Sequence, residues 1–309
     1  MRRSRSFRAL LASLLTRWLV KHRLSLTVDL NVWRARLQQR AESMRSLPVG
    51  TRVTDVHELG VSGEWIVPLG AIPGRVIYYL HGGGFIGCSP STHRGMVARM
   101  AAESQASAFV LKYRLAPEHP YPAATDDALA GWGWLLNSGV DPASTIIGGD
   151  SAGGNLTLSL LLALRDAGGP LPAGAVVLSP WTDLTNSVPS RISNDAADDM
   201  LKAEFCVPVS EMYRAGADPQ DPLVSPLFGD YAGMPPLLVH VSDTEILLDD
   251  SLQVVDKARA AGVLVELEVW SRLPHVWHIT APFVPEAREA IAQIGAFVKR
   301  TLTATPSAV

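Results

Sequence analysis

Ser151 stands at the centre of Gly149-Asp150-Ser151-Ala152-Gly153. The apolar run Thr145-Ile146-Ile147-Gly148 precedes it, and a long apolar stretch from Asn155 to Arg165 follows. That order predicts a strand, a sharp turn and a buried helix, with one serine hydroxyl lifted onto the turn. Glycine two residues to either side leaves room for strained backbone and for close helix–strand packing. A serine so placed is a candidate nucleophile. Attack on a carbonyl then needs a base, an acid to orient that base, and donors for the developing oxyanion.

His81-Gly82-Gly83-Gly84-Phe85 directly follows the apolar run Val76-Ile77-Tyr78-Tyr79-Leu80. Three glycines let backbone N–H groups point into a cavity unobstructed, which suits an oxyanion site. His81 is expected to hydrogen-bond within this loop rather than to a substrate. In the chain order serine, acid, histidine, the base follows Ser151, which leaves His240, His275 and His278. His240 lies inside an apolar run and reads as a packing residue. His275, in Leu273-Pro274-His275-Val276-Trp277-His278, falls in a loop past the last predicted strand, where a base belongs, and His278 reads as its neighbour. The acid comes from the turn after Leu237–Val241, where Asp243, Glu245, Asp249 and Asp250 all stand. Spacing alone does not choose among them.

The elements that must hold these residues are short apolar runs alternating with helical segments. Predicted strands cover Arg52–His57, Glu64–Val67, Val76–Leu80, Phe109–Tyr113, Thr145–Gly148, Ala175–Leu178, Leu237–Val241 and Val263–Trp270; helical patterns cover 124–138, 152–166, 249–261 and 285–301. This predicts an α/β fold with a mostly parallel twisted sheet flanked by helices and an opening antiparallel pair. Residues 184–220 are polar and acidic with no clear strand, and they read as an insertion over the active face. The layout expected is a helical cap segment at 1–45, a core at 46–183, a cap insertion at 184–220, the rest of the core at 221–301 and a tail at 302–309.

At 309 residues and 47% hydrophobic content the chain can bury one large core with an accessory cap. A net charge of −3 gives no reason to expect nucleic acid as a partner. The charge is uneven, though: residues 1–45 carry eleven Lys/Arg against two acids. Phe7, Leu10, Leu11, Leu14 and Trp18 share one helical face there. A cap helix packed on the body is the expectation. Peripheral contact of a basic amphipathic helix with an anionic membrane stays open, as does a homodimer. Two cysteines, Cys88 and Cys206, make no disulfide framework and point to a reducing, cytoplasmic setting. Cys88 is a weak rival nucleophile, since no histidine sits in a partnering motif for it. The histidines lack metal-ligand spacing, so neither metal nor cofactor is expected. Glu118 and Asp126 or Asp127 read as structural ion partners rather than catalysts. Phe85, Trp181, Leu227 and Trp277 are candidates for lining a substrate pocket.

The glycine loop, Tyr113-Arg114-Leu115-Ala116-Pro117-Glu118, Gly149-Asp150-Ser151-Ala152-Gly153-Gly154-Asn155 and the stretch Asp221 to Pro226 together resemble the hormone-sensitive-lipase-like family of α/β-hydrolases, in its bacterial carboxylesterase branch. The resemblance covers roughly residues 50–300. It implies an α/β-hydrolase fold with a helical cap, and oxyanion donors at the N–H groups of Gly83, Gly84 and Ala152. It also implies a catalytic acid at Glu245, in Glu245-Ile246-Leu247-Leu248-Asp249, where relatives usually carry Asp. The activity implied is hydrolysis of short- to medium-chain acyl esters by Ser151, His275 and Glu245, with a small-molecule ester as partner. An amidase, deacetylase or lactonase would use the same triad. A non-catalytic receptor on this fold would lack the base, which argues against it here.

Overall fold

The computed structural model describes residues 5–23, 29–43 and 46–304. Its strands are β1 (Arg52–Glu58), β2 (Val61–Val67), β3 (Val76–Leu80), β4 (Ser107–Leu111), β5 (Thr145–Asp150), β6 (Gly174–Leu178), β7 (Leu237–Ser242) and β8 (Val265–Trp270). Its helices are α1 (Phe7–Leu19), α2 (Leu30–Ser43), α3 (Pro90–Ser104), α4 (Ala123–Asn137), α5 (Ala152–Asp166), α6 (Ser190–Ser193), α7 (Ala203–Arg214), α8 (Leu248–Ala260) and α9 (Pro285–Ala304). The strands form one sheet in the order β1-β2-β4-β3-β5-β6-β7-β8. β1 pairs antiparallel with β2, and β2 with β4; every other pair is parallel. The chain therefore has the α/β-hydrolase fold that its motifs predicted.

Burial explains which runs became which strands. Every residue of β3, β5, β6 and β7 is buried, as expected for parallel strands covered on both faces. Their alternate side chains feed two cores. Tyr78, Leu80, Ile147, Val177 and Val239 join one, beside α5. Ile77, Tyr79, Ile146, Val176 and Leu238 join the other, beside α3 and α9. β8 closes one edge with Glu266 and Glu268, charges that discourage pairing with another chain.

Three expectations needed correction. β4 begins and ends two residues earlier than predicted, because Tyr113 leaves the ladder and donates its hydroxyl to the His81 carbonyl at 2.7 Å. Helix α3 was not foreseen. It buries His93 and Ser104 along with Met96, Val97, Met100 and Ala101, so no polar face gives it a helical period. α9 runs on to Ala304, so residues 302–304 are helical rather than tail, and residues 305–309 lie outside the described part. Among the described residues, no helix is long and apolar enough to cross a membrane.

Candidate active site

β5 delivers the chain to Ser151 and α5 takes it away. Ser151 adopts φ 55° and ψ −122°, a backbone conformation that costs about 1–3 kcal/mol for a residue with a side chain. The surroundings fix it there. Its N–H donates to the Leu178 carbonyl at 2.9 Å, and its own carbonyl accepts from Asn155 and Trp181 at 3.1 Å each. A Cβ at Gly149 would lie 2.2 Å from the Gly153 carbonyl oxygen, and one at Gly153 would lie 2.0 Å from that of Leu80. Both glycines are therefore required by close approach of backbone to backbone.

The glycine loop leaves the end of the adjacent strand β3 and is tied to the same turn. Asp150 Oδ1 accepts from the Gly82 N–H at 3.1 Å and from the Tyr79 hydroxyl at 2.8 Å, while Oδ2 faces His93 Nε2 at 3.2 Å. His81 stacks on Tyr113 with ring centroids 4.3 Å apart, and its Nδ1 lies 2.8 Å from the Gly82 carbonyl, so it does hold the loop. Gly83 and Gly84 have φ of 119° and 63°. Among the described residues, neither of their N–H groups meets an acceptor, nor does that of Ala152 at the start of α5. Free donors at a helix N-terminus and a glycine loop are suited to a developing negative charge.

His275 and Glu245 come together as expected: His275 Nδ1 lies 2.5 Å from Glu245 Oε2. The other carboxylate oxygen accepts from Ser179 Oγ at 2.8 Å and from the Ser242 N–H at 2.7 Å. Burial acts to lower the His275 pKa, but Glu245, with the charges of Asp198 and Asp150 behind it, outweighs that effect, and the net shift is upward. Ser151 and His275 line one cavity, although no hydrogen bond joins them among the described residues; such contacts often tighten only once substrate binds.

The other acids of that turn are committed elsewhere. Asp243 accepts from the Arg272 N–H and Ser271 Oγ, and Asp249 from the Ser190 N–H. Asp250 accepts from the N–H groups of Thr182 and Asp183 and pairs with Arg191. His240 and His278 form a buried pair, Nδ1 to Nε2 at 3.1 Å. Burial pushes His240 down to about 3 and His278 well below its ordinary value, so both are neutral packing residues. Burial and then the Asp150 charge push the Cys88 thiol up to about 12, which leaves too little thiolate to compete with Ser151. Glu118 pairs with Arg34, and Asp127 with Arg114.

The cavity measures about 2190 Å³. Ser151, Gly83, Gly84, His275 and Trp181 line it together with Leu11 and Leu15 of α1, Trp33 and Leu37 of α2, and Phe205 and Val209 of α7. Trp277 borders the cavity with no exposed surface of its own. Phe85 and Leu227, candidates for the pocket that could equally have been core, are core residues. Phe85 stacks on Tyr213 at 3.7 Å, where the left-handed backbone at φ 62° turns it inward, and Leu227 packs in the main core.

Sequence reasoning missed the residues that support this site. Ser179 could have been found, because it follows the carboxyl end of a predicted strand. Asp198 and Asn194 gave no signal. They reach across from 184–220, Asp198 accepting from the Ile246 N–H at 3.0 Å and Asn194 donating to the Glu245 carbonyl at 2.9 Å.

The site's geometry agrees with what the chain is similar to. A family model described as an α/β-hydrolase fold matches residues 77–279. An acetyl-hydrolase of Streptomyces hygroscopicus is 41% identical over 84% of this chain and 86% of its own length. An esterase of Acinetobacter venetianus is 37% identical over 80% and 81%. The crystal structure of an esterase from the bacterial hormone-sensitive lipase family superposes with a TM-score of 0.91 at 39% identity, covering 97% of this chain and all of that one. The chain belongs to the hormone-sensitive-lipase-like family of α/β-hydrolases, in its branch of bacterial carboxylic ester hydrolases.

Proposed function

We propose that the protein is a serine carboxylesterase that cleaves short- to medium-chain acyl esters through an acyl-enzyme on Ser151. The observation that carries this reading is the buried Glu245–His275 contact at 2.5 Å, on the same cavity as a serine held at a strained turn. His275 takes the Ser151 proton as the hydroxyl oxygen attacks the ester carbonyl. Glu245 keeps the Nδ1 proton on His275 and offsets the charge of the imidazolium. The N–H groups of Gly83, Gly84 and Ala152 receive the oxyanion, each such donor being worth about 2.7–4 kcal/mol. His275 returns the proton to the leaving alcohol, then activates a water that releases the acid and frees Ser151.

Residues 1–45 and 184–220 serve in this reading as a cap over a core formed by 46–183 and 221–301. Support for the cap comes from α1, α2 and α7, which line the cavity, and from polar ties within it and to the body. Arg17 pairs with Asp199 at 2.9 Å and so joins the two cap segments to each other, and Arg34 ties the first of them to the body by donating to the Ile86 and Ala116 carbonyls at 2.7 Å. The largely aliphatic and aromatic wall fits an acyl chain better than a charged substrate. A series of p-nitrophenyl esters of increasing acyl length tests this: kcat/KM should peak at short or medium chains and vanish in Ser151→Ala. A peak at long chains would overturn the substrate class while leaving the chemistry intact.

A further inference from the structure

Helix α1 leaves its large apolar side chains uncovered: Leu11 and Leu15 border the active-site cavity, while Phe7, Leu10, Leu14 and Trp18 lie outside its wall. At 100° per residue, Phe7, Leu10, Leu11, Leu14, Leu15 and Trp18 fall within an arc of about 140°. They are 39–78% exposed. On the opposite face small residues, Ala9 and Ser13, are buried. Polar anchors fix this orientation. The Ser6 N–H and hydroxyl donate to Glu286 at 2.6 and 2.8 Å, Arg5 to the Arg272 carbonyl at 2.7 Å, and Lys21 to that of Asp198 at 2.7 Å. The apolar surface continues across the rim of the cavity through Ile279 (47% exposed) and Phe283 (63%). A soluble monomer rarely displays so many large apolar groups side by side without a partner.

Charge identifies the partner. Residues 1–28 carry seven Lys/Arg and no Asp or Glu, while the chain as a whole is acidic; Arg17 pairs with Asp199 and Lys21 is buried against Asp198, but Arg5 and Arg8 meet no acid among the described residues. Arg8 is exposed beside the apolar arc. Two copies meeting symmetrically through this face would bring like charge against like charge. We propose that the outer face of α1, with Ile279 and Phe283, docks on the surface of an anionic phospholipid bilayer. The helix lies in the interface rather than spanning it, since its 13 residues fall short of the roughly 20 a crossing needs. The rim of the active-site cavity then sits at the lipid surface, where membrane-dissolved esters are concentrated.

The test is sedimentation of the full chain with vesicles of phosphatidylcholine alone, or of phosphatidylcholine with phosphatidylglycerol, alongside its oligomeric state in solution. The triple variant Phe7→Ser, Leu10→Ser, Leu14→Ser changes residues outside the cavity wall, so hydrolysis of a soluble ester should stay at the parent rate and report correct folding. The expected result is binding to the anionic vesicles only, weakened by salt and at least about tenfold weaker in the triple variant. Three results would overturn the proposal: no vesicle binding, binding indifferent to lipid charge or to the triple variant, or a dimer that the triple variant dissociates while vesicles are ignored.

Discussion

Replacing Glu245 by Asp keeps the charge and removes one methylene, and the geometry says it should cripple this protein. Loss of one methylene retracts the carboxylate by about 1.5 Å. The contact with His275, now 2.5 Å, opens to about 4 Å, beyond hydrogen-bonding reach. The contacts with Ser179 and the Ser242 N–H, at 2.8 and 2.7 Å, open with it. A misplacement of about 1 Å near a reacting centre costs on the order of 10²-fold, and complete loss of a triad acid's function about 10⁴-fold. Glu245→Asp should therefore lower kcat by about 10²–10⁴-fold, or about 3–5.5 kcal/mol in the barrier. Because Glu245 is foremost among the acids that raise the His275 pKa against the effect of burial, the acidic limb of the pH–rate profile should also move to lower pH. The assay is kcat and kcat/KM on a soluble p-nitrophenyl ester across pH, with circular dichroism to confirm folding. A folded variant within about threefold of the parent rate, an effect under ~1 kcal/mol, would refute the reasoning.

In the parent, the base must be neutral to accept the Ser151 proton, so kcat/KM should rise with pH through a pKa above the ordinary 6.5 of histidine. Gly83→Ala should cost about 10²–10³-fold in kcat with KM little changed, because its Cβ would meet the Gly87 carbonyl oxygen at 2.3 Å and an L-residue disfavours φ 119°; steady-state kinetics will show it. Burial acts to raise the Asp150 pKa, yet His93 and Tyr79 bring it below the ordinary carboxyl value. Its contribution to stability is therefore present above the unfolded-state pKa and is lost as pH falls through the depressed one. Asp150→Asn should unfold more readily by about 1–3 kcal/mol at neutral pH in urea and lose that acid-dependent part of the stability curve.

How legible each part was follows from how local its signal is. The serine turn is a local event: glycines at fixed offsets, a strand before and a helix after. Residues 149–153 therefore disclosed it, as residues 81–85 disclosed the glycine loop. His275 was readable because a base belongs beyond a strand's carboxyl end, and only one histidine loop lies there. Spacing alone could not choose Glu245 over Asp243, Asp249 and Asp250, and only the family resemblance pointed to it; in three dimensions Asp243 is taken by the 271–272 turn, and Asp249 and Asp250 by residues 182–191. Helix α3 escaped because a helix buried on most sides carries no period, although Ser89-Pro90 with Thr92 spelled its capping box. Phe85 and Leu227 escaped for another reason: an apolar residue in a loop can face the pocket or the core, and nothing in its neighbours says which.

The central claim is that Ser151 is the nucleophile, and covalent labelling measures it most directly. Incubation with a fluorophosphonate, followed by intact-mass and peptide mass spectrometry, should show one adduct, on Ser151, formed as activity disappears. Ser151→Ala should take up no label and hydrolyse no ester. A stoichiometric adduct elsewhere, on Cys88 for instance, or hydrolysis by Ser151→Ala at the parent rate, would contradict the account.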